Sequence, residues 1–220
     1  MNFLQESKVV ALCALLSVTV PCTAGNQAVD PAQAIVKRSI GGESLDIPLG
    51  YFYHWAIWDS GRWPSTNKAR LSTKSERLYA YIDGMRPWTP EVKEAFTGLA
   101  SPDISMIIIG EHSTDWLANF LSPRRPTLRQ VTVHDHAEGM RGFVSDYAKG
   151  EVYFLQALTP EKPYLLISCI ERPGGGCRVK FDYRTNLQVQ YSLQRGQLHK
   201  WKKIHADLLR TLDSFLVLSD

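Results

Sequence analysis

The stretch CIERPGGGCRVKF, residues 169 to 181, places three glycines between two cysteines and continues into alternating apolar and polar residues. If Cys169 and Cys177 face each other across a hairpin, the two flanking strands have only one register, because a disulfide requires neighbouring Cβ atoms. A shift of one residue would move every apolar side chain to the opposite face. The register that opposes the cysteines pairs Ile167 with Val179, Leu165 with Phe181 and Pro163 with Tyr183.

A second turn is predicted at residues 184 to 186, Arg-Thr-Asn, and it continues the same pattern. Both turns agree on one apolar and one polar face, which predicts a three-strand antiparallel meander. The second register pairs Tyr183 with Leu187, Phe181 with Val189 and Val179 with Tyr191. The outward-facing residues are then Arg178, Lys180, Asp182, Gln188, Gln190 and Ser192.

The segment after Gly196, QLHKWKKIHADLLRTLDSFLVL, has apolar residues at helical spacing. A helix with such a stripe would bury it against the apolar face of the meander. The fold class is therefore α+β: a mostly antiparallel sheet with a C-terminal amphipathic helix packed on a disulfide-clipped three-strand meander. The stripe contains Leu198, Trp201, Ile204 or His205, Leu208, Leu212 and Phe215.

Earlier segments predict further strands and two short helices. The apolar run 103 to 112 is typical of a central strand that is buried on both faces. Other strands are expected around Leu45 to Leu49 and at 51 to 58, 77 to 84, 130 to 136 and 150 to 158. Helices are expected at 88 to 96, with Thr89 as N-cap, and at 113 to 121.

The first 24 residues have the pattern of a secretory signal peptide: an apolar run of about a dozen residues, then small residues before Ala24. The run is shorter than the roughly 20 residues that span a bilayer, and no later stretch approaches that length. We expect a periplasmic protein with a signal peptide at 1–24, a flexible lead at 25–38 and a single α+β domain at 39–220. Lipidation of Cys22 is the less favoured alternative, because Pro21 stands where a small residue is needed.

Cleavage after Ala24 would leave Cys169 and Cys177 as the remaining cysteines, and in an oxidising compartment such a pair forms a disulfide. The glycine loop between them lacks the lysine, the hydroxyl and the following helix of a phosphate-binding loop. Reactive dithiols are typically Cys-x-x-Cys at a helix start, so the spacing favours a structural bridge over a redox centre.

The formal net charge of +3 is small, which argues against a nucleic-acid-binding protein. The basic clusters at 124 to 129 and 200 to 203 are interpreted as solvated surface. No GxSxG, HExxH or paired-carboxylate signature occurs. We therefore expect a protein that is not an enzyme and that needs no cofactor.

Two weaker chemical candidates remain. His134 and His136 would leave the same face of a strand, which suits a metal ion if a third ligand joins them; surface histidines are the more common interpretation. Glu111 and His112 end the most apolar strand, where an acid and a base can act together. One acid and one histidine are too common to predict a reaction.

The segment YFYHWAIWDSGRWP, residues 51 to 64, holds three of the six tryptophans. Tyrosine, tryptophan and arginine are the residues that anchor protein interfaces and stack on sugars. One set of these aromatics would pack the core, and the simplest alternative is that all of them do. The candidate partner-binding residues are Tyr53, Trp58, Arg62 and Trp63.

Three features follow one another along the chain. They are the Gly-Gly-x-x-Leu-x-Ile-Pro opening at Gly41 to Pro48, the aromatic segment, and the ending Cys…Cys-x-Val-x-Phe…Leu-x-Val-x-Tyr…Leu-x-x-Trp-x-x-Ile. In this order the chain is similar to small exported bacterial immunity proteins that neutralise secreted antibacterial toxins, of the type VI kind. The resemblance covers the two ends and implies a periplasmic protein that binds and blocks a protein toxin. The alternative is a cell-envelope enzyme or carbohydrate-binding module that uses the segment from Trp55 to Trp63.

Overall fold

The structure is a computed structural model that describes residues 31, 33–53, 56, 62–66, 68–97, 101–113, 128–131, 140–145, 151–159, 162–170 and 175–217. Within these residues the first strands are β1 (Ile35–Ile40), β2 (Glu43–Pro48), β3 (Leu71–Ser72), β4 (Ser75–Tyr81) and β5 (Ile104–Glu111). They are followed by β6 (Leu128–Val131), β7 (Arg141–Ser145), β8 (Glu151–Thr159), β9 (Lys162–Ile170), β10 (Gly176–Arg184) and β11 (Leu187–Gln194). A 15-residue α-helix, Trp201–Phe215, follows the last strand and is here termed the C-terminal helix.

These strands form two sheets. The large sheet has the order β4-β5-β11-β10-β9-β8-β7-β6, and all of its neighbouring strands are antiparallel. The small sheet has the order β2-β1-β3, with β3 parallel to β1. The predicted α+β class is confirmed.

The meander is formed by β9, β10 and β11, and its register is the predicted one at the centre. Cys169 and Cys177 are opposed and disulfide-bonded, with their Cα atoms 4.1 Å apart. In β10 and β11 one face is buried and the other is exposed or half-buried, as strict alternation requires, while in β9 Leu166 is buried on the outward face as well. The confirmed pairs are Val179 with Ile167, Phe181 with Leu165, Phe181 with Val189 and Val179 with Tyr191.

The far end of the meander differs from the prediction. Leu187 pairs with Arg184 instead of Tyr183, because a bulge lies between Asp182 and Arg184. The turn therefore contains only Thr185 and Asn186. The bulge releases Tyr183 from the ladder, and its hydroxyl donates a 2.5 Å hydrogen bond to Asp213 of the C-terminal helix.

The C-terminal helix packs across the apolar face of the meander, as predicted. The ring of His205 lies edge-on to Phe181 with centroids 4.6 Å apart, and that of Phe215 lies edge-on to Tyr51 at 5.0 Å. Past its end, the Val217 amide donates to the Ser44 carbonyl in β2 at 3.0 Å. One helix thus joins the large and small sheets through buried Trp201, Ile204, His205, Leu208, Leu212 and Phe215, and Leu198 is buried in the preceding 3-10 helix, Arg195–Lys200.

The N-terminal region holds more regular structure than expected. Strand β1 begins at Ile35, inside the segment 25–38 that we expect to be a flexible lead, and pairs with β2 along its whole length. The turn between them has positive φ angles at Gly41 and Gly42, +56° and +84°. A Cβ atom on Gly41 would lie 2.4 Å from the Asn186 carbonyl oxygen, so glycine is required where this turn meets the β10–β11 turn.

The strand predicted at 51 to 58 is wrong in its described part. Leu49–Phe52 forms a 3-10 helix, and Tyr53 has helical backbone angles. All four residues of that 3-10 helix are buried, so the aromatic side chains fill core space without alternating between faces. The helix predicted at 88 to 96 is a shorter 3-10 helix, Lys93–Thr97, preceded by a turn in which the Val92 amide donates to the Thr89 carbonyl at 3.1 Å.

The apolar strand β5 is second in the large sheet, next to β4, and is not its central strand. Ser105, Ile107 and Ile109 are buried while Met106 and Ile108 are half-buried, so one face carries most of the burial. The strand predicted at 130 to 136 is described only as far as Val131, and the helix predicted at 113 to 121 lies outside the described residues after Ser113. No helix in the described ranges is long and apolar enough to cross a membrane.

Replacing both cysteines, Cys169→Ser with Cys177→Ser, is expected to lower the free energy of unfolding by about 2 to 3 kcal/mol, because a short loop of the unfolded chain loses its constraint. Urea denaturation followed by tryptophan fluorescence measures the loss. Reduced wild-type protein is the control and should lose the same amount. An unchanged midpoint in the variant would contradict a stabilising bridge.

His205 makes the stability depend on pH. Burial lowers its pKa from 6.5 to about 4, so the unfolded chain binds a proton near pH 6.5 that the native protein does not accept until about pH 4. Falling pH through this window therefore favours unfolding. We expect a loss of roughly 2 to 3 kcal/mol between pH 7 and pH 4 in the wild type, and His205→Phe should remove this component.

The measurement is denaturant unfolding of both proteins at steps from pH 7.5 to pH 4. The carboxylates near the helix, Asp207 and Asp213, are present in both proteins, so their contribution cancels in the difference. Parallel stability profiles for wild type and His205→Phe would show that the buried imidazole does not have a lowered pKa.

Candidate functional site

A groove of about 950 Å³ opens beside strands β1 and β3 and the segment 62–70. Its volume is at the upper end of the range for ligand-binding clefts. Two residues predicted to bind a partner, Arg62 and Trp63, lie on its wall. The other lining residues are Lys37, Arg38, Phe52, Pro64, Ser65, Lys68, Ala69, Arg70, Leu71 and Glu76.

Arg70 fixes one side of this groove. Its Nη1 donates to the carbonyl oxygens of Arg38 at 2.9 Å and Leu45 at 2.8 Å, and its Nη2 donates to Asp46 Oδ1 at 2.7 Å. A guanidinium can make such a set of bonds because its donors lie in one rigid plane. The side chain therefore ties the segment before β3 to both strands of the β1–β2 hairpin.

Arg38 is held by a second set of contacts. Its Nε donates to Glu76 Oε1 in a largely buried ion pair, and the guanidinium lies over the Phe52 ring, 5.7 Å from the centroid. A carboxylate and an aromatic face are both favourable partners for a guanidinium. The groove thus has two arginines in fixed positions, while Lys37 and Lys68 are exposed at its rim.

An aromatic cluster supports the wall that carries Trp63. Tyr53 stacks on Trp88 with centroids 4.7 Å apart and an interplanar angle of 6°, and lies edge-on to Phe96 at 5.7 Å. Trp63 is tilted against both, 5.9 Å from Tyr53 and 6.3 Å from Trp88. Because Trp63 is half-buried, one part of its ring packs on this cluster while another part lines the groove.

The four predicted partner-binding residues therefore do not all lie in one place. Arg62 is exposed and Trp63 half-buried, and both line the groove. Tyr53 belongs to the aromatic cluster, and one face of its ring is covered by Trp88. Trp58 lies outside the described residues, as does Trp55.

The predicted metal site also lies outside the described residues, because both His134 and His136 do. In the part of the chain that is described, no three His, Cys, Asp or Glu side chains come together as metal ligands would.

Glu111 and His112 have structural partners at the end of β5. The Glu111 amide donates to the Lys74 carbonyl at 2.9 Å, and the His112 amide donates to the Asn186 carbonyl at 2.9 Å. The imidazole Nε2 of His112 lies 3.2 Å from Asp182 Oδ1. These contacts attach the end of β5 to the neighbouring strands, and the Glu111 side chain is exposed.

Sequence reasoning missed most of the basic residues of the groove. Lys37 and Arg38 lie in the segment that the sequence predicts to be flexible, and the other cations of the groove are not adjacent in sequence. The groove takes its cations from three separate stretches, around residues 37, 62 and 70. The one sequence signal was the Lys-Arg pair immediately before Ser-Ile-Gly-Gly, at the end of a hairpin strand.

Arg70→Lys should destabilise the protein by about 1 to 3 kcal/mol, because one ammonium group cannot replace a planar fork that bonds two carbonyls and a carboxylate. Thermal and urea unfolding measure the difference. Lys68→Arg, a change of the opposite kind at an exposed position of the same groove, is the matched control and should leave stability unchanged. Equal stability of wild type and Arg70→Lys would show that the hydrogen bonds of the Arg70 guanidinium do not stabilise the fold.

The sequence matches no protein-family model and no curated protein. Among solved structures, the fold is similar to Smlt3025, an immunity protein of the Stenotrophomonas maltophilia type IV secretion system, with a TM-score of 0.59 and 15% identity over 84% of this chain and 94% of that one. It is also similar to the Neisseria meningitidis iron-regulated outer membrane lipoprotein FrpD, with a TM-score of 0.55 and 15% identity over 85% of this chain and 94% of that one. At these identities the likeness shows a shared fold.

Proposed function

We propose that this protein is a non-enzymatic periplasmic immunity protein that blocks a secreted toxin by direct binding. The observation that carries the proposal is the shared fold with Smlt3025, which extends over 94% of that immunity protein. The resemblance of the two chain ends to exported immunity proteins leads independently to the same class.

The proposed location rests on the disulfide and on the N-terminal sequence. The disulfide between Cys169 and Cys177 indicates an oxidising compartment. A signal peptide at residues 1–24 would deliver the chain to the periplasm. FrpD is an outer membrane lipoprotein, but we favour a free periplasmic protein here, because Pro21 does not suit lipidation of Cys22.

The proposed binding surface is the groove wall that carries Arg62 and Trp63. Arginine and tryptophan are enriched among the residues that contribute most to protein–protein affinity. Trp63 is supported from behind by Tyr53 and Trp88, so little side-chain freedom would be lost when a partner packs against it. A fixed aromatic beside fixed arginines is a suitable anchor for a protein partner.

The competing hypothesis, a cell-envelope enzyme or sugar-binding module, needs open aromatic faces that can stack on a sugar ring. One face of the Tyr53 ring is stacked on Trp88 and the ring also has an edge contact with Phe96, so that face is not open to a sugar. No contact in the described residues favours this hypothesis. The experiment must therefore distinguish it from the immunity role.

The test is capture of a partner from the envelope of the producing cell with the mature, tagged protein. We expect one secreted protein to co-purify, and a strain that lacks this chain to be killed by toxin-producing sibling cells. Trp63→Ala with Arg62→Ala should lose the partner and the protection while remaining folded at the assay temperature, although the lost contacts with Tyr53 and Trp88 lower its unfolding midpoint. Lys200→Ala with Lys202→Ala, at exposed positions near the start of the C-terminal helix, is the control.

Failure to capture any protein, together with survival of the deletion strain, would refute the immunity role. A tryptophan-fluorescence titration with cell-wall glycans separates the alternative. Saturable binding of a glycan that the Trp63→Ala variant loses would favour the sugar-binding module instead.

A further inference from the structure

The groove has a strong excess of positive charge for a protein whose formal net charge is only +3. Among its lining residues are five cationic side chains and one carboxylate, that of Glu76. Asp46, beside the groove, neutralises part of Arg70. The remaining excess lies within a single concave surface, where low-dielectric walls concentrate the field.

The two arginines are positioned but not saturated. Arg70 uses three N–H donors on the carbonyls of Arg38 and Leu45 and on Asp46, and a guanidinium has five. Arg38 uses one donor on Glu76 and one on the Lys37 carbonyl. Each arginine therefore keeps donors for an incoming oxygen acceptor, as far as the described residues show.

The two lysines at the rim supply charge that the described residues do not neutralise. Lys37 and Lys68 are both exposed, and neither forms a salt bridge with any residue in the described ranges. An ammonium on a flexible stem adapts to a carboxylate without a fixed geometry. The rim is thus suited to carboxylates that approach from outside the protein.

The groove also has apolar surface between its charges. Trp63 and Leu71 line it, and Leu71 is 56% exposed, a large fraction for a leucine, whereas Phe52 is buried in the wall. A purely ionic ligand would leave this surface in water. An occupant that buried it would need apolar side chains interspersed with its negative charges.

We propose that the groove binds an acidic, leucine-containing segment of the partner protein, with its carboxylates on Lys37, Lys68 and the free donors of Arg38 and Arg70. The inference rests on the proposed function and specifies the partner's chemistry at that site. Charge complementarity of this kind accelerates encounter and selects among partners more than it adds affinity. Its strength should fall with added salt, because the rim charges are exposed.

The probe is a fluorescein-labelled peptide of sequence EELEEL, with QQLQQL as the neutral match, and binding is measured by fluorescence anisotropy on the mature protein. We expect saturable binding of the acidic peptide, little of the neutral one, and an affinity that declines from 20 to 300 mM salt, since about 8 Å is the screening length at physiological ionic strength. Lys37→Glu with Lys68→Glu should weaken binding by roughly tenfold or more, which corresponds to about 1.4 kcal/mol. Lys200→Glu with Lys202→Glu, the same change in net charge elsewhere, should not.

The same variants are then used in the envelope capture. If the Lys37→Glu with Lys68→Glu variant loses the partner while the Lys200→Glu with Lys202→Glu variant keeps it, the groove is supported as the binding site. If the wild type captures a partner and this variant captures it equally well, the groove inference is overturned while the immunity role stands. If the wild type captures nothing and the deletion strain survives, the immunity role fails, while peptide binding still decides whether the groove selects acidic segments.

Two further outcomes would overturn the inference. Equal binding of EELEEL and QQLQQL would show that charge does not select the ligand. Stronger binding of a labelled sulfated tetrasaccharide than of EELEEL, lost in the Lys37→Glu with Lys68→Glu variant, would assign the groove to anionic glycans. Unfolding midpoints of all variants are measured first, so that a folding defect is not mistaken for lost binding.

Discussion

The register of β9, β10 and β11 is the constraint on which the rest of the structure depends. The bridge between Cys169 and Cys177 fixes this register at one end, and the alternation of Val179 and Phe181 with polar neighbours makes a slip costly along the remaining length. A single apolar face results. The C-terminal helix buries its own apolar stripe on this face.

The C-terminal helix, placed by the meander, in turn contacts the N-terminal half of the chain. Phe215 packs on Tyr51, Leu216 bridges to Leu45, and the Val217 amide bonds to β2. The small sheet is therefore positioned by the end of the helix, and the turn at Gly41 fits against the turn at Asn186. Arg70 then ties the segment before β3 to the same hairpin. The groove walls are fixed through these successive contacts.

The elements that hold the fold together and the proposed binding surface lie in different parts of the molecule. The meander and its disulfide are structural, and in the described part of the chain the chemically varied surface lies around Arg62, Trp63 and the cations of the groove. The exposed groove residues Lys37 and Lys68 can change with little effect on the helix–meander core, because substitutions at exposed positions rarely alter stability. The proposed preference for an acidic segment is thus a property of groove side chains, while the resemblance to immunity proteins is a property of the scaffold.

The sequence by itself determined the parts of this protein that depend on local pattern. It gave the disulfide, the central register of the meander, and the helical stripe from Leu198 to Phe215, because each follows from periodicity that neighbouring residues already display. Composition alone predicted Arg62 and Trp63 as partner-binding residues, and both line the groove. Tertiary structure decided the rest. Tyr51 and Tyr53 are helical because core packing overrides their strand propensity, and Lys37, Arg38, Lys68 and Arg70 form one groove because hydrogen bonds and sheet pairing join segments that are distant in sequence.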